Sequence, residues 1–236
     1  MKKLLTSGLL LLAAGASAFG FASCNFLDAL GYVEDKLPDD SGFIFALTED
    51  QTSYAVTDYV GEGEHVVIPD VHNQLPVTQI ASWAFNASET IKSIVIPESI
   101  TTIGECAFSS CTALESVDIR ANVDTIGDSA FGSCVSLQNV VVPDGVQTIG
   151  ENAFIYCNSL QNVILPESVT AIGTGVFDAC ERLNHIYYKG TQTDWAQLSI
   201  AGNNVELTAA TTHYFSAENP KMTRTASFGI IRPKVR

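Results

Sequence analysis

A single pattern repeats every 23 residues through the middle of this 236-residue chain. Its most regular parts are an Ile-Gly pair, an Ala-Phe pair four residues later, and then a cysteine. The Ile-Gly pairs are Ile103-Gly104, Ile126-Gly127, Ile149-Gly150 and Ile172-Gly173. A unit this short cannot bury its apolar side chains alone, so successive units must stack and share one core. Apolar residues make up 46% of the chain, which is enough to build such a core.

Each unit also contains a short alternating segment that predicts a strand. In the run Leu160 to Pro166, Val163 and Leu165 alternate with polar or outward positions. Because successive side chains of a strand point to opposite faces, this alternation sends one set into the core. Strands of successive units should pair in parallel, with proline ending most of them. Glycine after isoleucine permits a tight corner, and the phenylalanines should stack as a spine on the return side.

The repeat resembles the bacterial BspA-like leucine-rich repeats, whose pattern is I-x-I-P-x-x-V-x-x-I-G-x-x-A-F-x-x-C-x-x-L. The copy VVVPDGVQTIGENAFIYCNSL, residues 140–160, matches it nearly throughout. The resemblance covers about residues 43–216 and implies a β-rich, right-handed leucine-rich-repeat solenoid. Such a solenoid has a parallel sheet on one face and short helical or irregular turns on the other. The family resemblance also implies a surface or secreted protein with an adhesive role.

We expect the following organisation of the chain. Residues 1–23 read as an export signal, with two lysines before a short apolar run. Cleavage could follow Ala18, or precede Cys24 in a sequence resembling a lipobox, in which case Cys24 carries a lipid. Residues 24–42 would be anchor and linker, 43–79 an N-terminal hairpin cap, and 80–190 five repeats. A C-terminal cap over 191–216 would contain a brief helix from Thr193, and 217–236 would be a disordered basic tail.

Four cysteines recur at the repeat interval: Cys111, Cys134, Cys157 and Cys180. Buried free thiols, disulfides between neighbouring coils and a metal site are all open readings. Side chains in a column point the same way rather than towards each other, which favours buried thiols. Metal sites usually bring their ligands together at much shorter intervals. The histidines show no metal or catalytic-triad spacing, so we expect no cofactor, no metal and no catalysis.

The outward positions of the sheet form the candidate binding face. One column places aliphatic, acidic and aromatic side chains in line, and the column beside it is mostly amides. An exposed apolar stripe rimmed by polar groups often marks an interaction site. The candidate ligand-binding residues are Asp118, Asn139, Val141, Asn162, Ile164, His185 and Tyr187.

Charge narrows the range of partners. The formal net charge is −14, and both ends of the chain are basic, so the repeat body is more acidic still. Such a body repels nucleic acid and anionic lipid. We therefore expect a non-catalytic, exported, adhesin-like protein at the cell surface or outer envelope that binds a protein or glycan, host matrix proteins included. The alternative is a structural or self-assembling protein of the cell envelope.

Overall fold

The structure is a computed structural model that describes residues 41–214. None of the helices in that range is long and apolar enough to cross a membrane. The described part of the chain starts with five strands, of which the first two form an antiparallel hairpin and the fourth and fifth a second one. They are β1 (Phe43–Leu47), β2 (Tyr54–Tyr59), β3 (His65–Val67), β4 (Val71–His72) and β5 (Leu75–Ile80).

The repeats alternate a longer strand with a two-residue strand. The longer ones are β6 (Ser93–Ile96), β8 (Ser116–Ile119), β10 (Asn139–Val141), β12 (Asn162–Leu165) and β14 (His185–Tyr188). The short ones are β7 (Thr102–Ile103), β9 (Thr125–Ile126), β11 (Thr148–Ile149) and β13 (Ala171–Ile172). The chain then adds α1 (Gln192–Trp195), β15 (Ser199–Ile200), α2 (Val205–Ala209) and β16 (Thr211–Tyr214).

The longer strands form a parallel sheet in the order β16-β14-β12-β10-β8-β6-β3, which confirms the predicted solenoid. We call it the long-strand sheet. Its register equals the sequence repeat, since Asn139 pairs with Asn162 and Asn162 pairs with His185. This sheet has seven strands within the described residues. The five predicted repeats supply the middle strands, and β3 and β16 extend the sheet at its ends.

A second parallel sheet, which the sequence analysis did not predict, runs along the Ile-Gly corner. It joins β5, β7, β9, β11, β13 and β15, and the N-terminal hairpin extends it through β2 and β1. Each isoleucine points into the core, and the glycine that follows donates its N–H to the preceding coil. Gly150 N, for example, lies 2.9 Å from the oxygen of Ile126. The coil therefore has two sheet walls instead of one.

The return side has irregular turns, yet it too is hydrogen-bonded from coil to coil. Two residues in each turn, such as Cys106 (φ 52°) and Ser110 (φ 61°), adopt the left-handed conformation. This alternation directs every second N–H towards the next coil. Phe108 N donates to Ala130 O at 2.8 Å, and the N–H groups two residues to either side do the same. These hydrogen bonds give partners to buried backbone groups that lie outside any strand.

The phenylalanines form the predicted spine. Rings of Phe85, Phe108, Phe131, Phe154 and Phe177 stack in sequence, with centroids 4.9, 5.0, 5.3 and 5.6 Å apart. The last three pairs are within 6° of parallel. The spacing matches the distance between hydrogen-bonded strands, so the rings follow the backbone ladder. The stacked rings contribute a continuous apolar interior to the repeat region.

The repeated cysteines are buried free thiols. Each donates its S–H to the carbonyl oxygen of the phenylalanine in the preceding coil, at 3.1 to 3.2 Å. Cys134, for example, donates to the oxygen of Phe108. The pKa of the Cys134 thiol is raised well above its usual value, mainly by a hydrogen bond with Cys111 and to a smaller extent by burial. The cysteine column therefore has a structural role, satisfying carbonyl groups next to the spine.

The C-terminal cap differs from the prediction in its helix. The helix α1 is capped by Thr191, not by Thr193 or Asp194. Asp194 instead completes a capping box, accepting a hydrogen bond from the backbone N–H of Thr191 at 2.9 Å. The second helix, α2, was not predicted, and Asn204 before it ties the cap to the last coil by donating Nδ2 to Gly173 O at 2.8 Å. The signal, Cys24 and the basic tail lie outside the described residues.

Gly127→Ala should destabilise the fold, because a Cβ at this corner would lie 2.7 Å from the oxygen of Ile103 in the preceding coil. We expect the free energy of unfolding to fall by about 1–3 kcal/mol, measured by urea denaturation. Gly202→Ala is the matched control, since a Cβ there meets nothing within 4 Å. Equal stability of the two variants would contradict the tight corner.

The four column thiols should resist modification in the folded protein. Thiolate is the reactive form, and burial combined with the raised thiol pKa of Cys134 and Cys157 disfavours it. The pKa of Cys111 is lowered by its hydrogen bond with Cys134, so this thiol and Cys180 are protected by burial, each being 1% exposed. In a Cys24→Ser, Cys106→Ser variant, we expect no reaction with a chromogenic disulfide reagent until guanidinium unfolds the chain. Prompt labelling of the native variant would show that the column is open to solvent.

Candidate functional site

The outward face of the long-strand sheet carries two parallel columns of side chains. The polar column consists of His65, Ser93, Ser116, Asn139, Asn162, His185 and Thr211. The mixed column, two residues further along each strand, consists of Val67, Val95, Asp118, Val141, Ile164, Tyr187 and His213. Because the strands are in register, neighbours in a column lie about 4.8 Å apart. The predicted site residues therefore all lie on one face.

Side-chain hydrogen bonds link neighbours within the polar column. Asn162 donates Nδ2 to Oδ1 of Asn139 at 2.8 Å. Near the other end of the sheet, Nδ1 of His65 and the hydroxyl of Ser93 form a hydrogen bond of 2.8 Å. These bonds hold the side chains in one orientation before any partner arrives. A preorganised surface loses less conformational entropy on binding than a mobile one.

An aromatic cluster occupies the C-terminal end of the face and consists of His185, Tyr187 and His213. The rings of Tyr187 and His213 stack with centroids 4.6 Å apart and an interplanar angle of 13°. Nδ1 of His185 and Nε2 of His213 share a hydrogen bond of 3.2 Å. Burial, and then the charge of His185, lower the pKa of His213 below its usual value, which favours its neutral form.

Towards the N-terminal end the face becomes charged. Asp118 is half-buried and accepts hydrogen bonds on Oδ2 from Nε and Nη2 of Arg120, at 2.9 and 2.7 Å. Arg120 occupies a position that is proline in three of the other copies, and Asp118 occurs in the second repeat alone among the five, so this ion pair is specific to that repeat. The Arg120 side chain is exposed to solvent, which weakens the attraction, so the pair contributes little to stability. It does give this end of the face a fixed arrangement of charge.

The prediction that the apolar positions form an exposed stripe was wrong for Ile164, which is only 5% exposed. Val95, in the same column, is also buried. The register explains the burial, because Ile164 lies between Val141 and Tyr187 on the neighbouring strands and both flank its side chain. Val141 and Tyr187 are half-buried. The face is therefore a closely packed surface, on which side-chain edges rather than whole aliphatic groups reach solvent.

Sequence analysis did not include His213 among the candidate binding residues, because it lies within the predicted C-terminal cap. The interval from Tyr187 to His213 is 26 residues instead of 23. The extra residues belong to the C-terminal cap, and they hide the continuation of the mixed column. Extending the column by one more strand would have found this residue.

The cluster offers donors, acceptors and ring edges suited to binding. Its imidazoles and phenol, together with the amides of Asn139 and Asn162 beside them, can hydrogen-bond to backbone groups of a protein or to hydroxyls of a glycan. Across residues 41–214, no group of three or more histidine, cysteine or carboxylate side chains could hold a metal ion. On this face, His185 and His213 form a close pair of nitrogen-bearing side chains.

Comparison with protein families identifies the repeat. The model of the BspA type leucine rich repeat region matches residues 78–206 with six copies. The match covers more than half of the chain, so this protein belongs to the BspA-type leucine-rich repeat family. Six copies also correct the predicted number of five. Comparison with curated proteins finds no match.

Solved structures of bacterial leucine-rich repeat proteins are similar to this chain. A leucine rich cell surface protein from Faecalibacterium prausnitzii is 28% identical with a TM-score of 0.65, over 71% of this chain and 43% of its own. This chain thus spans less than half the length of that relative. The Treponema pallidum leucine rich repeat protein is 33% identical with a TM-score of 0.61, over 71% of this chain and 82% of its own. The pneumococcal vaccine antigen PcpA is 16% identical with a TM-score of 0.54, over 75% of this chain and 48% of its own. At this identity the likeness shows a shared fold and nothing more.

Proposed function

We propose that this protein is a non-catalytic binding protein of the bacterial surface that recognises a protein or glycan through the outward face of the long-strand sheet. The observation that carries the proposal is the aromatic cluster beside the hydrogen-bonded amide pair, Asn139 and Asn162. All these side chains are fixed on a sheet whose strands are paired in register. Aromatic residues are enriched at protein interfaces because they bury area at low entropic cost.

The solenoid supports a binding role because it provides an extended, rigid surface whose outward residues can vary without disturbing the core. In β6, β8, β10 and β12 the inward residues are all aliphatic, while the outward residues of the mixed column change from valine to aspartate and, in β14, to tyrosine. The long-strand sheet therefore has the same backbone in each coil but different chemistry along its length. Function in such a fold depends on the surface residues and not on the scaffold.

Export to the cell surface fits both the sequence and the relatives. Residues 1–23 have the composition of a secretory signal, and Cys24 would carry the lipid that retains the mature protein at a membrane. The relative from Faecalibacterium prausnitzii is described as a cell surface protein. An acidic, surface-held solenoid would present its binding face to the surroundings of the cell.

Self-assembly in the cell envelope is the second candidate, and the N-terminal end of the long-strand sheet supports it. Val67 in the edge strand β3 is 43% exposed, and Val71 just after it is 57% exposed. Exposed apolar residues at a sheet edge favour association with another chain. A concentration-dependent dimer that is abolished by Val67→Lys would favour this second function.

Tyr187→Ser should weaken partner binding, because it removes the ring that holds His213 in place. We expect an affinity loss of at least about tenfold, typical of losing a buried aromatic anchor, in a screen against matrix proteins, mucins and glycans by surface plasmon resonance. Tyr156→Ser is the matched control, since Tyr156 is 52% exposed on the return side. Equal weakening by both substitutions, or by neither, would refute the choice of face.

Lipidation at Cys24 predicts incorporation of labelled palmitate into the full chain when it is expressed in a bacterium. Cys24→Ser should abolish the label and release the protein into the soluble fraction, since the anchor depends on that thiol. Detection is by fluorography after detergent phase separation. Cys106→Ser is the control and should keep the label. Labelling that persists in Cys24→Ser would rule out this anchor.

A further inference from the structure

The last two long strands bring two imidazole nitrogens close together. His185 lies in β14 and His213 in β16, and Nδ1 of the first is 3.2 Å from Nε2 of the second. Two nitrogens that bind one Zn²⁺ at about 2.1 Å each, at a tetrahedral angle, lie about 3.4 Å apart. The observed distance therefore fits a pair of adjacent ligands on one metal ion.

Both rings are held in position by the fold. Parallel pairing of β14 and β16 places Tyr187 opposite His213, and their rings stack at 4.6 Å. The two histidines are partly buried, which limits the rotamers open to each side chain. Ligands fixed in this way lose little conformational entropy when a metal binds. The geometry is built by strand register and not by a flexible loop.

We propose that His185 and His213 form a two-histidine site for a divalent transition metal ion of the Zn²⁺ type. Imidazole nitrogen suits zinc, copper and nickel, and the net charge of −14 attracts cations to the chain. Water would complete the coordination, because the described residues contain no third side chain that could make a full protein site with them. This inference goes beyond the proposed function, since zinc binding can be measured without any partner.

Binding at this pair leaves protons and electrons balanced. Without metal, one of the two facing nitrogens carries the hydrogen of the 3.2 Å hydrogen bond and the other accepts it. When Zn²⁺ binds, that hydrogen moves to the other nitrogen of the same ring, so both facing lone pairs point to the metal. The rings stay neutral and no redox change is needed.

The test is calorimetric titration of Zn²⁺ into the untagged full chain, together with nuclear magnetic resonance of its four histidine rings. We expect one zinc ion per chain, with ring signals of His185 and His213 shifting while those of His65 and His72 stay unchanged. His213→Gln and His185→Gln should each weaken binding by at least about tenfold. His65→Gln is the matched control, because His65 lies on the same face at the opposite edge and should bind zinc like the wild type.

The nuclear magnetic resonance measurement uses the wild-type chain, so it tests the proposal even if a histidine variant loses stability. The proposal would be overturned by an absence of zinc binding up to about 1 mM. It would equally be overturned by binding that His213→Gln, shown to be folded by circular dichroism, leaves unchanged. Failure of the zinc site would leave the protein or glycan screen unaffected, since that screen is run in the presence of a chelator.

Discussion

Hydrogen bonding from each coil to the next is the constraint on which the rest of this structure depends. It occurs on all three sides: in the long-strand sheet, in the second sheet at the Ile-Gly corner, and across the left-handed turns on the return side. Together these bonds fix the rise per coil, and the phenylalanine rings then stack at close to that spacing. The apolar core follows from this register, since each coil completes the interior of its neighbour.

The same register creates the candidate site. Residues 23 positions apart become lateral neighbours, so a column of unrelated sequence positions turns into one surface. Asn139 and Asn162 can hydrogen-bond only because their strands pair without a shift. A slip by one residue would send every outward side chain into the core. Core packing and the arrangement of the binding face are therefore controlled by the same hydrogen bonds.

Much of the fold could be predicted because the same residue types recur at the same positions in successive repeats. Stacked phenylalanines, buried thiols and tight glycine corners all follow from side chains that recur in register. Prediction failed where the burial of a side chain depends on residues of the neighbouring strands and not on its own position in the repeat. Alternation correctly pointed Ile164 outward, but its burial depends on the flanking Tyr187. The second sheet was missed because the strands that the repeats contribute to it, β7, β9, β11 and β13, have only two residues each, too few to show an alternating pattern.

The ends of the solenoid are where this chain departs most from its own repeat, and the most distinctive chemistry lies at one of them. A cap must stop the stacking of coils, so it needs a different length and different side chains. Between β14 and β16 the chain inserts two short helices, and this changed interval brings His213 beside Tyr187 and His185. A repeat of constant length would have placed the side chains of one more ordinary coil there. Because the cap that closes the core does not follow the repeat, the last strand of the sheet can carry side chains that the repeat would not place there, such as His213 beside His185.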